Sequence, residues 1–133
     1  MIMFLQRISI LAVFLISISI FSCTEANDDA GDDIQNFVGT WNVSDQSARI
    51  NYQVEIIPNP SNSAEVLLNN FADLGSSASG LVVGSSIIID NQSLGSGYST
   101  SGSGTLENSK KLVISFDLND GIDNQSRVAT FTR

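Results

Sequence analysis

The sequence predicts an all-β protein, an eight-stranded antiparallel up-and-down barrel, and three observations favour that fold. Apolar residues from Phe37 onward recur at every second position, and no stretch keeps them at helical spacing for more than two turns. Eight such segments follow one another, joined by connections of hairpin length. Eight strands in sequential order are enough to close a barrel, which removes both exposed sheet edges. A two-sheet β-sandwich is the alternative.

The first two predicted strands have the clearest pattern. Phe37 to Ser44 alternates apolar and polar residues and places Trp41 on the apolar side. Arg49 to Ile57 alternates most regularly, which predicts one buried and one solvent-exposed face. The inward residues of this strand are Ile50, Tyr52, Val54 and Ile56. Pro58 ends the strand, because proline cannot donate to a sheet ladder.

Six further segments complete the predicted barrel. They are Glu65 to Phe71, Gly80 to Val83, Ser86 to Asp90, Tyr98 to Glu107, Leu112 to Leu118 and Arg127 to Arg133. A tight turn at Gly84 and Ser85 joins two of them. The loop from Ala72 to Ser79 consists mostly of small residues, and we expect it to be mobile. Gly102 and Gly104 share one face of their strand and predict a sharp bend there.

The first 22 residues have the pattern of an export signal. Arg7 precedes an apolar run of 14 residues, Ile8 to Phe21, whereas a spanning helix needs roughly 20. The run ends in Ile20-Phe21-Ser22-Cys23, which resembles the lipobox of bacterial lipoproteins. The resemblance implies a signal-peptide helix over residues 1–22 and acylation of Cys23, the only cysteine of the chain. The mature protein is then anchored to the membrane through that lipid.

Residues 23–35 are expected to form an acidic, disordered tether ahead of a barrel domain at residues 36–133. Thr24 to Asp33 holds five of the 14 acidic residues and no large apolar side chain to bury. An acidic stretch at this place also resembles the export signal of surface lipoproteins in the Bacteroidota. That resemblance implies an outer-membrane protein exposed at the cell surface. A solvated spacer explains the same residues, and the sequence leaves both interpretations open.

A second resemblance concerns Gly39-Thr40-Trp41, which looks like the Gly-x-Trp opening of lipocalin-like barrels. In that family a basic residue of the last strand lies across the tryptophan and closes the barrel floor. Arg133 has the same strand parity as Phe131. The resemblance therefore implies that Gly39, Trp41 and Arg133 form a structural closure of the barrel. It covers about residues 36–133 and extends to small lipocalin-like lipoproteins of the Bacteroidota.

The residue types give little support to catalysis or metal binding. The chain has no histidine, and Cys23 is its single cysteine, which removes histidine acid–base catalysis, cysteine nucleophiles and the usual zinc ligands. Asp117 to Asp123 offers oxygen ligands, but its glycine falls at the fifth position and not at the sixth as in an EF-hand. A hairpin turn on Asp120-Gly121 explains the same residues. We therefore expect no enzyme, no cofactor and no metal site.

Charge and architecture together narrow the partners. Of the six basic residues Arg7 leaves with the signal peptide, so the mature chain carries 5 − 14 = −9 formal charges. Nucleic acid is not expected as a partner, because phosphate binding needs clustered Lys and Arg. The architecture favours a membrane-anchored extracytoplasmic binding domain whose ligand the sequence does not identify: a small apolar molecule in the barrel mouth, or a glycan or protein on its rim. The alternative is a structural or accessory subunit that binds an envelope protein through its loops.

Overall fold

The computed structural model describes residues 30–133, and they contain a closed barrel of eight antiparallel strands. Each strand pairs with its neighbours in sequence, and the last strand pairs with the first. The strands are β1 (Gly39–Asp45), β2 (Ile50–Pro58), β3 (Glu65–Asn69), β4 (Ala78–Val83), β5 (Ser86–Gly95), β6 (Tyr98–Asn108), β7 (Lys111–Asn119) and β8 (Asn124–Thr132). A short helix, α1 (Ala30–Gln35), precedes them. The predicted up-and-down barrel is confirmed, and the β-sandwich alternative is wrong.

The two ends of the barrel differ in what they carry. We call the end where β1 begins and β8 finishes the floor, and the opposite end the mouth. The chain enters from α1 at the floor, which also carries the β2–β3, β4–β5 and β6–β7 connections. The mouth carries the β1–β2, β3–β4, β5–β6 and β7–β8 connections.

The segment before β1 departs in part from the prediction. The predicted signal peptide, Cys23 and most of the acidic stretch lie outside the described residues. The sequence predicts a disordered tether up to residue 35, but Ala30–Gln35 is helical. Ile34 is only 3 % exposed, and its carbonyl accepts hydrogen bonds from the N–H groups of Phe37 and Val38. One apolar side chain that reaches the barrel core is enough to order this turn, although acidic residues precede it in the sequence.

The alternation of buried and exposed residues follows the prediction along most strands. The predicted inward residues of β7 and β8 are buried: Leu112, Ile114, Phe116, Leu118, Ala129 and Phe131. On β2, Val54 and Ile56 are buried, and Ile50 and Tyr52 are half-buried nearer the mouth. A shift of one residue in any of these strands turns its apolar set toward solvent, so burial specifies the register.

The β3–β4 connection is more ordered than the sequence predicts. β3 ends at Asn69 and not at Phe71, and a 3-10 turn, Phe71–Asp73, follows it. Phe71 is fully buried, and its ring centroid lies 4.8 Å from that of Phe116. Asn70 holds the turn, because its Nδ2 donates to the Gln53 carbonyl and its Oδ1 accepts from the Gly75 N–H, both at 2.9 Å. The loop therefore inserts an aromatic side chain into the mouth.

β5 extends beyond its predicted end. The residues of its second half are mostly polar, so an alternation of apolar residues does not indicate a strand there. The sequence predicts its end at Asp90, but the strand continues to Gly95 with a register shift between Ile89 and Gln92. The Gln92 side chain accepts from the Ser79 N–H at 2.8 Å and donates to the Ser79 carbonyl at 2.9 Å. Here the side-chain amide of Gln92 takes the place of backbone hydrogen bonds between β4 and β5. The alternation of apolar residues along the sequence cannot indicate such a contact.

The two predicted strand glycines mark a close approach between β6 and β7. A Cβ atom at Gly104 would lie 2.7 Å from both the Val113 carbonyl oxygen and Ile114 Cγ1. A Cβ atom at Gly102 would lie 2.7 Å from Phe116 Cα. The β6–β7 ladder runs through both glycines without interruption. Their role is to admit the bulky inward side chains of β7 into the interior.

Gly102→Ala is therefore expected to destabilise the barrel by about 1–3 kcal/mol, the usual cost of overpacking a filled core. The outward Ser103→Ala is the matched control on the same strand, with an expected change below about 0.5 kcal/mol. Urea unfolding followed by tryptophan fluorescence measures both variants. Equal midpoints for the two would contradict the close approach.

Candidate functional site

The barrel interior is filled by side chains. Its largest fully buried residues include Trp41, Phe37, Phe71, Phe131, Ile56 and Leu68. A partly enclosed hollow of about 70 Å³ lies at the mouth beside Tyr98, Leu118 and Arg127. Hollows of about 350 to 560 Å³ are open depressions bordered mainly by outward-facing residues of the wall and the loops. Pockets for small molecules are concave spaces of roughly 300–1,000 Å³ that bury most of the ligand, and the interior offers none of that size in the described part.

The structure brings together the three residues that the sequence assigns to barrel closure. Arg133 Cζ lies 4.0 Å from the centroid of the Trp41 ring, a cation–π geometry. The Arg133 guanidinium also donates hydrogen bonds to the carbonyls of Asn36 (2.9 Å), Val38 (2.6 Å) and Ser109 (2.8 Å). A single guanidinium therefore ties the end of β8 to the segment before β1 and to the β6–β7 connection.

The contact between Arg133 and Trp41 requires a glycine at position 39. Its φ of 139° lies in a region that side chains rarely adopt, and a Cβ atom there would be 2.9 Å from Arg133 Nη1. Trp41, two residues on, is fully buried and its Nε1 donates to the Phe37 carbonyl at 2.8 Å. The glycine makes room for the guanidinium, and the tryptophan supplies the surface on which it rests. These contacts have a structural role at the floor of the barrel.

The mouth holds a buried ion pair that sequence reasoning missed. The Asp45 side chain is fully buried, and its Oδ2 lies 3.5 Å from Arg127 Nη1. Asp45 Oδ1 accepts hydrogen bonds from the N–H groups of Ser47 (3.0 Å) and Ala48 (3.1 Å), which shape the β1–β2 turn. Arg127, 14 % exposed, also donates to Gln125 Oε1 through Nε and Nη2. Strand parity is the signal that finds this pair: Asp45 continues the inward series of Trp41, and Arg127 belongs to the buried face of β8.

Tyr52 lies near this ion pair, and two buried polar atoms there lack a hydrogen bond. The Tyr52 hydroxyl and Asp45 Oδ2 make no hydrogen bond within the protein. Burial raises the pKa of Tyr52 well above its usual value, and the negative charge of Asp45 raises that pKa further. Tyr52 is therefore a neutral hydroxyl at any physiological pH.

The β7–β8 turn is the most exposed part of the mouth. Asp120 Oδ1 accepts from the N–H groups of Ile122 (2.9 Å) and Asp123 (2.7 Å), and Asn119 Oδ1 accepts from Gly121 (2.7 Å). The hydrogen bonds from Asp123 and Ile122 lower the pKa of Asp120. The oxygens that invite a calcium interpretation thus build the turn itself. The turn presents the Ile122 side chain 91 % exposed to solvent.

Neither a protein-family model nor a curated protein matches this chain. Between residues 30 and 133, no helix has the length and apolar character needed to cross a bilayer. Over the same span, no three His, Cys, Asp or Glu side chains are grouped so that they could hold a metal ion.

Replacement of Arg133 tests the floor contact. Arg133→Met keeps an apolar stem and removes the guanidinium, and we expect a loss of about 1–3 kcal/mol, since the cation–π contact and three charge-assisted bonds disappear from a partly solvated site. Arg133→Lys is expected to recover only part of the loss, because an ammonium cannot reach all three carbonyls. Lys110→Met at the same end is the control. Urea midpoints that are equal for Arg133→Met and Lys110→Met would refute the role of the guanidinium.

The raised pKa of Tyr52 predicts a stability loss in alkali. Tyrosine in the unfolded chain ionises near pH 10, whereas the folded state keeps its proton to higher pH, so unfolding releases a proton and stability falls as the pH rises above about 10. Tyr52→Phe is expected to flatten that fall. At pH 7 the variant should change the free energy of unfolding by less than about 1 kcal/mol, because the lost hydroxyl has no partner. Chemical denaturation at several pH values measures both effects; an alkaline slope as steep as in the wild type would disprove the assignment.

Proposed function

We propose that this protein is a lipid-anchored lipoprotein of the bacterial envelope that acts as an accessory subunit, binding a partner protein through the loops at its mouth. The filled interior is the observation that carries the proposal. A ring of strands closed around Trp41, Phe71 and Phe131 has no room for a carried ligand of ordinary size. Its rigid wall instead serves as a scaffold, and binding falls to the exposed connections.

The β7–β8 turn is the mouth element best suited to a partner. Ile122 is an exposed apolar anchor on a turn whose hydrogen bonds hold it in one conformation, so binding costs little ordering entropy. The exposed carboxylates of Asp73, Asp120 and Asp123 belong to the connections at the same end. A complementary partner offers an apolar pocket for Ile122 with basic side chains around it.

Membrane attachment through Cys23 is the second part of the proposal. The lipobox resemblance and the acidic stretch behind Cys23 support an outer-membrane lipoprotein exposed at the cell surface. The described residues are compatible with this arrangement, because the chain enters at the floor and the mouth loops lie at the other end. An anchor at one end leaves the loops at the other end free to meet a partner.

A small polar ligand at the mouth is the second candidate function. Asp45 Oδ2 and the Tyr52 hydroxyl are the observation in its favour, since both are buried without a hydrogen bond. The enclosed hollow of about 70 Å³ at the mouth borders Arg127, the partner of Asp45, and has room for only a few non-hydrogen atoms. That size is far below the hydrophobic cargo that the barrel architecture suggests.

Site-specific photo-crosslinking in the native host tests the proposed function. With p-benzoylphenylalanine in place of Ile122 we expect a discrete crosslinked protein, and with the same group in place of Ser115, outward on the wall, we expect none. Cys23→Ala should abolish incorporation of a palmitate analogue and release the protein from membranes, because that cysteine carries the lipid.

The alternative has its own readout. Native mass spectrometry of the protein extracted gently from the envelope is expected to show the bare lipidated mass. A reproducible added mass, together with no crosslink from position 122, would favour the small-ligand binder and refute the accessory role. Continued palmitate labelling of Cys23→Ala would show that the anchor assignment is wrong.

A further inference from the structure

The outer wall of β2 to β5 carries a group of outward-facing apolar side chains. Its members, here called the apolar wall, are Ile57, Leu67, Leu81, Val83 and Ile88. Their chain neighbours Ile56, Val66, Leu68, Val82, Ile87 and Ile89 are buried in the core, so the period of the strands directs these five outward. Val83 is 57 % exposed and Ile88 is 41 % exposed.

The strand register makes the apolar wall continuous. Ile57 is the cross-strand partner of Leu67, and Leu81 is the partner of Ile88. Leu67 pairs with Ser79, so Leu81 is its diagonal neighbour on β4. Val83 extends the group by one more outward position along β4. A connected apolar surface on a protein rich in polar outward residues indicates a contact.

The apolar wall lies toward the floor end of the barrel. Val83 ends β4 at the β4–β5 turn, and Ile57 lies one residue before the end of β2. Lys110 lies in the β6–β7 connection at the same end and Lys111 begins β7, with its Nζ 3.2 Å from Glu107 Oε2. One carboxylate, Glu65, lies within the wall as the partner of Leu81, and Asn59 Nδ2 donates to its Oε2 at 3.2 Å.

The point where the chain enters the barrel identifies what covers this surface. Helix α1 begins at Ala30 and contacts β4, the strand that carries Leu81 and Val83. Cys23 precedes Ala30 by seven residues, which span at most about 25 Å when fully extended. A lipid on Cys23 therefore holds the floor end close to the bilayer surface, where even a weak contact is strengthened because it is intramolecular.

We propose that the apolar wall docks onto the lipid bilayer that holds the acyl chains of Cys23. This inference rests on the lipid anchor of the proposed function. Val83 and Ile88 enter the headgroup region, and Lys110 and Lys111 lie beside lipid phosphates. Asp73, Asp120 and Asp123 belong to the connections at the mouth, where repulsion from anionic lipid turns them away. The docked barrel presents the Ile122 turn to the space beyond the membrane.

Fluorescence quenching on vesicles tests the docking. The lipidated full-length protein carries one new cysteine, Val83→Cys or Ile122→Cys, labelled with an environment-sensitive dye; the Cys23 sulfur is blocked by its lipid. The vesicles contain phosphatidylethanolamine and phosphatidylglycerol, with or without brominated acyl chains. We expect the Val83 label to be quenched about twofold or more strongly than the Ile122 label, since a docked side chain lies about 5–10 Å into the interface.

A second variant pair removes the influence of the apolar dye. In a protein with the dye on Ser85→Cys, we expect the added substitution Ile88→Asp to lower the quenching at position 85 to the level measured for the Ile122 label. The matched substitution Ile122→Asp is expected to leave the quenching at position 85 unchanged. Both aspartates replace exposed side chains, so the fold is retained, and near-ultraviolet circular dichroism verifies that. Equal quenching at positions 83 and 122, or no effect of Ile88→Asp, overturns the docking.

Flotation of the vesicles separates the possible failures. Protein that floats without selective quenching retains its anchor and refutes only the docking. Protein that does not float refutes the anchor of the proposed function and the docking with it. A disulfide-linked dimer of unlabelled Val83→Cys that forms on the vesicles shows that a second copy covers the wall, which also overturns the proposal.

Discussion

Closure of the sheet between β1 and β8 is the constraint on which the rest of the structure depends. These strands come from opposite ends of the barrel domain and pair from Asn42 with Thr132 to Asp45 with Ala129. Such a pairing between distant parts of the chain carries the largest loop-closure entropy in the fold. A charged contact lies at each end of the seam: Arg133 over Trp41 at the floor, and Arg127 beside Asp45 at the mouth. Both arginines belong to the last nine residues of the chain.

The two contacts differ in their physics. At the floor a partly solvated guanidinium rests on an aromatic face and bonds to three carbonyls, so its charge is well satisfied at little desolvation cost. At the mouth the Asp45 carboxylate is removed from water, and the pair makes up for that cost only in part. A buried pair of this kind favours the strand pairing that brings Asp45 and Arg127 together at the mouth and adds little net stability.

A barrel closed in this way and filled by its own side chains has its functional surfaces on the outside. The mouth connections carry carboxylates and one exposed isoleucine, while the wall near the floor carries the connected apolar side chains. The two surfaces lie toward opposite ends, which suits a protein held by one end and recognised at the other. The physical basis is the same period-two alternation that builds the core, because each strand has an outward face whose composition the core does not constrain.

The sequence by itself determined the fold class and the eight strands, because period-two alternation is a local pattern. The closure of the floor was implied only by the resemblance of Gly39-Thr40-Trp41 to the opening of lipocalin-like barrels, and the structure places Arg133 over Trp41. The sequence also predicted most inward residues, from Val54 to Phe131. It did not find the helical turn at Ile34, the aromatic plug of Phe71 or the second half of β5, since a single apolar contact or an amide bonded to a neighbouring strand leaves no periodic trace. Only the tertiary structure decided that the interior is full, that Asp45 meets Arg127, and that five outward residues from four strands form one surface. Those outcomes depend on strand register around a closed ring, which brings together residues far apart in the chain.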